Sequence, residues 1–327
     1  MTVSKVLRNH SDIGAETRER VLKRIQELNY QPNLAARSLV TGHTYTIGLV
    51  VPDLVHPFFA EVAKGIGQRI RPRGYSLIIS SSEEDPDLER QEIEHLLARQ
   101  VDALIVASAR PSSDLFERLE EQKTRFILID RRFPNLKVNY IGVDDVEIGC
   151  LATRHLIDIG CQRIAHIRGR DLSNGLGRLE GYRRALQDRH LSTPPEYVVE
   201  GRSTDESGDV SGYNAMKQLL TLKPPPDGVF CFNDPTAAGA MKAILEAGLR
   251  IPEDISVIGA GNLRFFDQLR VPLSTIDQSS NEMGEKAAKM ALKVIESKTP
   301  LPPKKIVLEP KLIVRESTRR AVAGITS

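Results

Sequence analysis

The chain has 327 residues and a formal net charge of +2, and 40% of its residues are hydrophobic and 27% charged. These values argue against a disordered chain and fit a soluble protein of two or three globular domains. No apolar run reaches the length of a membrane span and no basic-then-apolar signal opens the chain, so we expect a cytoplasmic protein.

The chemistry-bearing residues do not form a catalytic or metal-binding motif. Three cysteines, Cys150, Cys161 and Cys231, lie far apart in apolar segments, which predicts buried free thiols rather than disulfides or metal ligands. The G-L-G segment at residues 175–177 is too short for a dinucleotide-binding fingerprint. We therefore expect neither an enzyme nor a bound cofactor.

The N-terminal segment is basic and helical. Residues 1–44 carry seven lysines and arginines against four acidic residues, which suits contact with a polyanion but is also usual for a solvated surface. Helical spacing of apolar residues predicts one helix over residues 2–8 and a second over residues 14–28. The second helix is expected to bury Val21, Leu22, Ile25 and Leu28.

A joint between this segment and the rest of the chain lies at residues 29–59. The sequence Y-Q-P-N at residues 30–33 ends the second helix, because proline disfavours helical geometry in the residue before it. Residues 32–40 predict a short hinge helix that ends at residues 41–44. The apolar, β-branched run at residues 47–51 then predicts a buried strand.

The motifs at this joint resemble a known family. N-Y-x-P-N-x-x-A-R-S-L at residues 29–39, followed by T-x-x-I-G-L-V-V-P-D at residues 44–53, resembles the hinge of the lactose/purine repressor family of bacterial transcription regulators. T-V-S-K-V-L-R-N at residues 2–9, followed by E-T-R-E-R-V at residues 16–21, resembles the recognition helix and third helix of its helix-turn-helix. The resemblance covers essentially the whole chain.

The resemblance implies a fold and a function. The fold would be α/β, with two doubly wound parallel-sheet lobes like those of type I periplasmic binding proteins, preceded by a helical DNA-binding headpiece and a hinge helix. The function would be that of a cytoplasmic transcription regulator, a repressor, acting as a homodimer or tetramer on operator DNA. A small sugar-like effector would bind in the cleft between the lobes.

Two sets of DNA contacts are implied. The recognition helix would enter the major groove, and paired hinge helices would enter the minor groove, where a leucine wedges between base steps. A generic amphipathic helix pair, and a leucine that packs against the core of a monomer, stay open as alternatives. The residues that match the family's contact positions are Thr2, Ser4, Lys5, Asn33, Arg37, Ser38 and Leu39.

The start of the sequence departs from the family pattern. The family has a further helix before its T-V-S motif, whereas this sequence begins inside that motif. We therefore expect an incomplete headpiece, since short helices without their packing partner bury little apolar area. The alternative function that follows is a solute-binding module that no longer binds operator DNA.

From Tyr45 onward, strand and helix patterns alternate, which predicts parallel sheets covered by helices. The segments expected to cross between the lobes are residues 144–145, 274–277 and 304–305. Strands are predicted at residues 47–51, 76–80, 103–107, 126–129, 140–143, 164–167, 197–200, 228–232 and 256–259, and helices include residues 88–99 and 237–247. The expected domains are a headpiece (1–31), a hinge (32–44), a first lobe (45–143 with 279–303, a returning helix), a second lobe (144–278 with 304–320) and a tail (321–327).

Ligands of doubly wound sheets bind beyond the carboxyl ends of the strands, so the residues after each strand are the candidate effector contacts. An aromatic pair would stack on the ligand ring, and polar side chains from both lobes would bind its hydroxyls. Taken singly, these residues also fit core packing, helix caps or surface ion pairs. The candidates are Asp53, His56, Phe58, Phe59, Asp130, Arg131, Asn174, Arg178, Asn233, Asn262 and Gln278.

Two departures from the sugar-binding pattern point to an acidic effector. Gly261 stands where the family commonly has a carboxylate after the ninth strand, so an acceptor for ligand hydroxyls is missing. His56, which can carry a proton, stands where ribose-type clefts have asparagine.

The predicted charge of the cleft leads to the same expectation. Arg131 and Arg178 are kept, and Asp130 alone does not clearly balance them. Arginine binds carboxylates and phosphates with bidentate geometry, which favours a sugar acid or sugar phosphate. An ordinary pentose or hexose is the alternative, with Asn262 or Asp267 supplying the missing acceptor.

Overall fold

The computed structural model describes residues 12–30, 41–201 and 208–319, together with Val6 and Ser38. The chain divides into two compact units, Met1–Tyr45 and Thr46–Ser327. In the N-terminal unit, helix α1 spans Ala15–Glu27, which confirms the helix predicted over residues 14–28. The helices predicted over residues 2–8 and 32–40 lie outside the described residues, except for Val6 and Ser38, which are helical.

The predicted burial of α1 is wrong. Leu22 is 41% exposed and Leu28 is 73% exposed, while Val21 and Ile25 are only half-buried. An amphipathic helix buries its apolar side only where other elements cover it. The described residues of this unit do not cover the apolar side of α1.

The second unit alternates strands with helices along the chain, as the sequence predicts. Its strands are β1 Thr46–Val51, β2 Ser76–Ser81, β3 Ala103–Val106, β4 Phe126–Ile129, β5 Tyr140–Val143, β6 Ile164–Arg168, β7 Val198–Glu200, β8 Gly228–Cys231, β9 Ser256–Gly261, β10 Ser274–Asp277, β11 Lys305–Leu308 and β12 Lys311–Ile313. Its helices are α2 Pro57–Ile70, α3 Pro86–Ala98, α4 Asp114–Glu121, α5 Asp145–Asp158, α6 Ser173–Asp188, α7 Gly208–Leu220, α8 Asp234–Glu246 and α9 Ser280–Glu296.

The strands form two six-stranded sheets, one in each lobe. The first has the order β11-β5-β4-β3-β1-β2, and all its neighbouring strands are parallel. The second has the order β12-β10-β9-β8-β6-β7 and is parallel except for the antiparallel edge strand β12. The chain moves outward in both directions from a central strand in each sheet, which is the predicted doubly wound α/β fold.

Two predicted crossings between the lobes are instead strands. Residues 274–277 form β10 of the second sheet, and Lys305–Leu308 forms β11 at the edge of the first sheet. Residues 304–305 therefore do not open the second lobe, and the chain crosses between Leu308 and Lys311. Both segments contain β-branched residues, which favour strands. Each segment adds one strand to its sheet, and it is more stable there than it would be as an exposed connection.

Helix α9 returns to the first lobe and packs on α2. The contact is close because two glycines face it: a Cβ at Gly65 would lie 2.2 Å from Asn281 O, and one at Gly284 would lie 2.1 Å from Val62 O. The three cysteines are buried free thiols, as predicted. No helix among the described residues is long and apolar enough to cross a membrane.

Candidate effector-binding cleft

A cavity of about 140 Å³ lies between the two lobes, beyond the carboxyl ends of strands in both sheets. Its lining comes from the ends of strands and the segments that follow β1, β2, β4, β6, β7, β8 and β10. Ten of the eleven candidate residues named from the sequence line it: Asp53, His56, Phe58, Phe59, Asp130, Arg131, Asn174, Arg178, Asn233 and Gln278.

The remaining candidate, Asn262, does not line the cavity. Its side-chain Oδ1 accepts a hydrogen bond of 2.7 Å from Arg315 Nη2, and its backbone N–H donates to Thr275 Oγ1 at 3.1 Å. The C-terminal segment that carries Arg315 thus holds Asn262 away from the cleft. The sequence gives no sign of this pairing, because 53 residues separate the two partners.

The start of α2 provides an aromatic wall. His56 caps the helix, its Nδ1 accepting from Phe58 N–H at 3.3 Å, and Pro57 is the first helical residue, a position that favours proline. Phe58 and Phe59 are 4% and 6% exposed, and their rings meet edge to face with centroids 5.1 Å apart. The helix start therefore holds both rings at the cavity, where they also belong to the core of the lobe.

His56, which can carry a proton, is neutral near pH 7. Burial lowers its pKa to about 4, more than the nearby Asp53 carboxylate raises it. Its Nε2 lies 3.2 Å from Nδ2 of Asn233, the N-cap residue of α8 in the other lobe. His56 therefore lies between the lobes as a neutral group rather than supplying a positive charge.

Asp130 and Asn174 make a second contact between the lobes. Asn174 Nδ2, on α6, donates to Asp130 Oδ2 at 3.2 Å. Burial raises the pKa of Asp130, although Arg131 and Arg178 act against that rise. Asp130 has a positive φ of 59°, and Tyr140 Oη donates to its backbone oxygen at 3.0 Å.

Arg178, also on α6, is buried and fully engaged by its own lobe. Its Nε donates to Asp145 Oδ1 at 3.2 Å, its Nη1 to Phe232 O at 2.6 Å, and its Nη2 to Gln278 Oε1 at 2.9 Å. The guanidinium also stacks on the Phe232 ring, 4.5 Å from its centroid. Burial raises the pKa of Asp145 to about 7, with the Arg178 charge opposing that rise.

Arg131 forms an ion pair with Glu84, which is not among the candidate residues named from the sequence. Glu84, after β2, accepts from Arg131 Nη2 at 2.7 Å and from Nη1 at 3.1 Å. Burial alone would raise the pKa of Glu84, but Arg131 and Arg170 outweigh burial and hold that pKa below its usual range. The Glu84 side chain is 22% exposed.

These pairs correct the premise that Asp130 is the one acidic residue set against Arg131 and Arg178. The prediction set Arg131 and Arg178 against Asp130 alone, whereas Glu84 neutralises Arg131 and Asp145 lies against Arg178. Both carboxylates come from other segments of the chain, so the sequence around the arginines did not reveal them.

Several cavity residues were missed, although the rule that found the others applies to them. Glu84 follows β2, Arg168 ends β6, Arg170 lies between β6 and α6, and Phe232 follows β8 directly. Ser211, on the first turn of α7, lines the cavity as well, and its position in a helix gave no such signal.

The predicted DNA contacts lie almost entirely outside the described residues. Thr2, Ser4, Lys5, Asn33, Arg37 and Leu39 are among the residues that the structure does not describe. Ser38 is described and half-buried, and its carbonyl accepts a hydrogen bond of 2.8 Å from Gly42 N–H, with helical spacing. Within the described part of the chain, no group of three or more His, Cys, Asp or Glu residues could hold a metal ion.

Comparison with known proteins places this architecture in a family. Residues 1–33 match the lacI family of bacterial regulatory proteins, and residues 153–318 match a periplasmic binding protein-like domain. The ribose operon repressor of Haemophilus influenzae is 35% identical over 319 residues, which cover 97% of this chain and 94% of the repressor. The chain belongs to the LacI family of bacterial regulatory proteins.

Further relatives and solved structures agree with this assignment. The transcriptional repressor PurR of Haemophilus influenzae strain PittEE is 33% identical over 321 residues, covering 97% of this chain and 94% of PurR. The Lac repressor bound to ONPG has a TM-score of 0.85 at 26% identity, covering 97% of this chain and 94% of the repressor chain. A CelR–cellobiose complex has a TM-score of 0.76 at 30% identity, covering 96% and 94%. The chain is thus a ligand-responsive, DNA-binding transcription regulator of the repressor type.

Proposed function

We propose that the regulator senses a single small, neutral, sugar-like ring in the cleft between its lobes. The observation that carries this proposal is the cavity of about 140 Å³, which has aromatic rings on one side and hydrogen-bonding side chains from both lobes. An engineered cavity of about 150 Å³ holds one benzene ring, so this volume suits one ring with few substituents.

The polar lining suits hydroxyl groups, each of which can donate and accept a hydrogen bond. Asp130 offers acceptors from the first lobe, and Asn174 and Asn233 offer amides from the second. Phe58 of the first lobe and Phe232 of the second provide apolar faces for the ring. The ribose operon repressor and the CelR–cellobiose complex are both named for sugars, which supports the same class.

The balance of charge favours a neutral ligand over the sugar acid expected from the sequence. Arg131 pairs with the Glu84 carboxylate at 2.7 Å, and the Arg178 guanidinium donates to Asp145, Phe232 and Gln278, so an anionic ligand would have to displace these partners or share the guanidinium groups. Displacing a partner leaves a partly buried carboxylate unpaired, which is strongly unfavourable.

The regulatory mechanism follows from the two-lobed site. A ligand that contacts both lobes stabilises the arrangement in which those contacts form. Operator affinity rises with the ligand if DNA binding favours the same arrangement, and it falls if DNA binding favours a different one. The coupling is reciprocal. We propose that this coupling acts in a homodimer or tetramer, through the hinge segment at residues 32–44.

A thermal-shift screen tests the ligand class. Neutral pentoses and hexoses, the corresponding sugar acids and phosphates, and nucleobases should be compared, because a ligand that binds only the folded state raises its Tm. We expect the largest rise with a neutral sugar, and we expect Asn174→Ala, which removes one of the proposed ligand contacts on α6, to reduce it. Arg184→Gln, an exposed arginine on the same helix, is the control and should keep the rise. Stabilisation by the acids or phosphates alone would contradict the proposal.

A further inference from the structure

We propose that Glu84 is a built-in carboxylate that joins the two lobes and occupies the position where the cleft would otherwise bind an anion. The inference concerns the same cleft and its effector, so its consequence for selectivity rests on the proposed function. Its structural basis is the contact of one side chain with arginines from both lobes.

On the first lobe, Glu84 and Arg131 form a two-pronged ion pair. Arg131 Nη2 lies 2.7 Å from Oε1 and Nη1 lies 3.1 Å from Oε2, which is the paired geometry that arginine adopts with carboxylates. Arg131 Nη1 also donates to Ser108 O at 3.0 Å, and Arg131 is 9% exposed. This guanidinium is therefore fixed in place and already binds a carboxylate.

On the second lobe, Arg170 completes the bridge. Its Nη1 lies 2.8 Å from Glu84 Oε2 and 3.2 Å from the Glu84 backbone oxygen. Arg178 pairs with Asp145 and Arg168 pairs with Glu200, each within the second lobe. Among the ion pairs that described cleft residues form, the Glu84–Arg170 pair is the one that spans the two lobes.

The backbone around Glu84 presents the carboxylate firmly. Glu84 N–H donates to Pro52 O at 2.9 Å, and Asp85 N–H donates to Ser82 O at 2.7 Å. Asp85 then caps α3 through a 2.7 Å bond from Asp87 N–H. The loop is thus held at both of its ends, so the position of the carboxylate does not depend on a ligand.

Two consequences follow from this arrangement. A carboxylate or phosphate on an effector meets two guanidiniums that already share the Glu84 carboxylate, and it meets the repulsion of Glu84 as well. A neutral effector displaces nothing. Glu84 would therefore select against anionic relatives of the effector, and it would also favour the closed lobes before any effector binds.

Chemical rescue tests the position without knowledge of the effector. Glu84→Ala removes a methylene and a carboxylate, the groups that acetate supplies. We expect this variant to have a lower Tm than the wild-type protein. Sodium acetate should raise its Tm by roughly 2 °C or more beyond the effect of sodium chloride at equal ionic strength, since acetate binds the folded state alone.

The controls separate a filled anion position from general salt effects. Acetamide, neutral and similar in shape to acetate, should not rescue Glu84→Ala. Glu83→Ala changes the neighbouring exposed glutamate, which makes no ion pair in the described structure, and it should show no specific response to acetate. Equal stabilisation by acetate and chloride, or rescue of Glu83→Ala to the same extent, would overturn the proposal.

Glu84→Gln tests selectivity and keeps the size of the side chain, so it also serves if the alanine variant does not fold. Titration calorimetry with D-ribose and D-ribonate should show the ratio of acid to neutral affinity rising about tenfold over the wild-type ratio, because one repulsive charge is gone and two guanidiniums are freed. The ratio should be unchanged in Glu83→Gln. An unchanged ratio in Glu84→Gln would contradict the inference. If no sugar binds the wild-type protein, the proposed function fails, whereas the acetate experiment still decides the role of Glu84.

Discussion

His56 Nε2 of the first lobe lies 3.2 Å from Asn233 Nδ2 of the second, in a contact that depends on the protonation of the imidazole. Asn233 Oδ1 already accepts from Thr236 N–H at 2.9 Å and from Thr236 Oγ1 at 2.7 Å, so Nδ2, a donor, faces His56. Phe58 N–H approaches the other nitrogen, Nδ1. A neutral imidazole accepts at one nitrogen only, and a protonated imidazole accepts at neither. Protonation of His56 therefore removes whichever one of these two bonds the neutral ring accepts, the helix cap or the contact between the lobes.

The first prediction concerns stability at low pH. Burial lowers the pKa of His56 to about 4, below its unfolded value of 6.5, so the unfolded chain binds the proton more readily between these values. The stability that this group contributes is present above pH 6.5 and is lost as the pH falls through about 4. Between pH 6.5 and 4, the free energy of unfolding of His56→Gln should fall by roughly 1 to 3 kcal/mol less than that of the wild-type protein. Denaturant unfolding at several pH values measures the difference.

The control for this experiment is His95→Gln, which changes a histidine whose side chain is 63% exposed on α3. Its stability should follow the wild-type pH dependence. Identical slopes for the wild-type protein and His56→Gln between pH 6.5 and 4 would show that the contact between the lobes does not depend on His56 protonation.

The second prediction concerns Asp145, whose linkage has the opposite sign. Burial raises its pKa from 3.8 to about 7, so the folded protein holds a proton that the unfolded chain has released. The stabilising contribution of that proton is complete below pH 3.8 and is lost as the pH rises through about 7. Asp145→Asn cannot titrate, so between pH 4 and 7 it should lose less stability than the wild-type protein, by roughly 1 to 3 kcal/mol. Parallel curves for the two proteins would rule out the predicted shift.

The third prediction concerns the packing of α9 on α2. Gly65→Ala places a Cβ 2.2 Å from Asn281 O, a backbone atom that cannot move without shifting the helix, and should reduce the free energy of unfolding by about 2 kcal/mol or more. Gly67→Ala is the control on the same helix, since its nearest contact would be the flexible end of Arg71 at 3.5 Å. That variant should gain up to about 1 kcal/mol from better helix propensity. Similar effects of the two substitutions would mean that the close approach does not govern stability.

The fourth prediction concerns Leu39, which matches the leucine that enters the minor groove in the family. Leu39→Ala should weaken operator binding by a few kcal/mol, the scale of contacts made on unstacking a base step. Thermal stabilisation by the effector should stay the same, because the cavity is lined by residues 53–278 alone. Retention of full operator affinity and DNA bending would instead assign Leu39 a packing role.

The fold was predictable from sequence where the strands are long and apolar. β1 reads as T-I-G-L-V-V and five of its six residues are buried, so period and composition agree. β10, β11 and β12 are three or four residues long and carry polar or charged residues, so they look like connections. Their strand identity comes from a neighbouring strand in the sheet, which a local pattern does not reveal.

The cleft was predictable because its position follows from topology, whereas its charge was not. Ligands bind beyond the carboxyl ends of the strands, which predicts that Asp53, Asp130 and Asn233 lie at one site. The first and the last of these residues are 180 positions apart in the sequence. The partners of the arginines depend on how loops from different strands meet. Glu84 reaches Arg131 across 47 positions, and no feature near either residue signals the pair.

The most direct test measures the affinity for an operator fragment, selected from genomic DNA, with and without the sugar that gives the largest thermal shift. We expect saturating sugar to change the operator Kd of the wild-type protein by at least fivefold, the lower range of allosteric coupling. We also expect Asn174→Ala to weaken the response to the sugar, while Arg184→Gln keeps both the sugar-free Kd and the response. An operator Kd that is the same at zero and saturating sugar, in a protein that the sugar demonstrably stabilises, would contradict the claim that the cleft controls DNA binding.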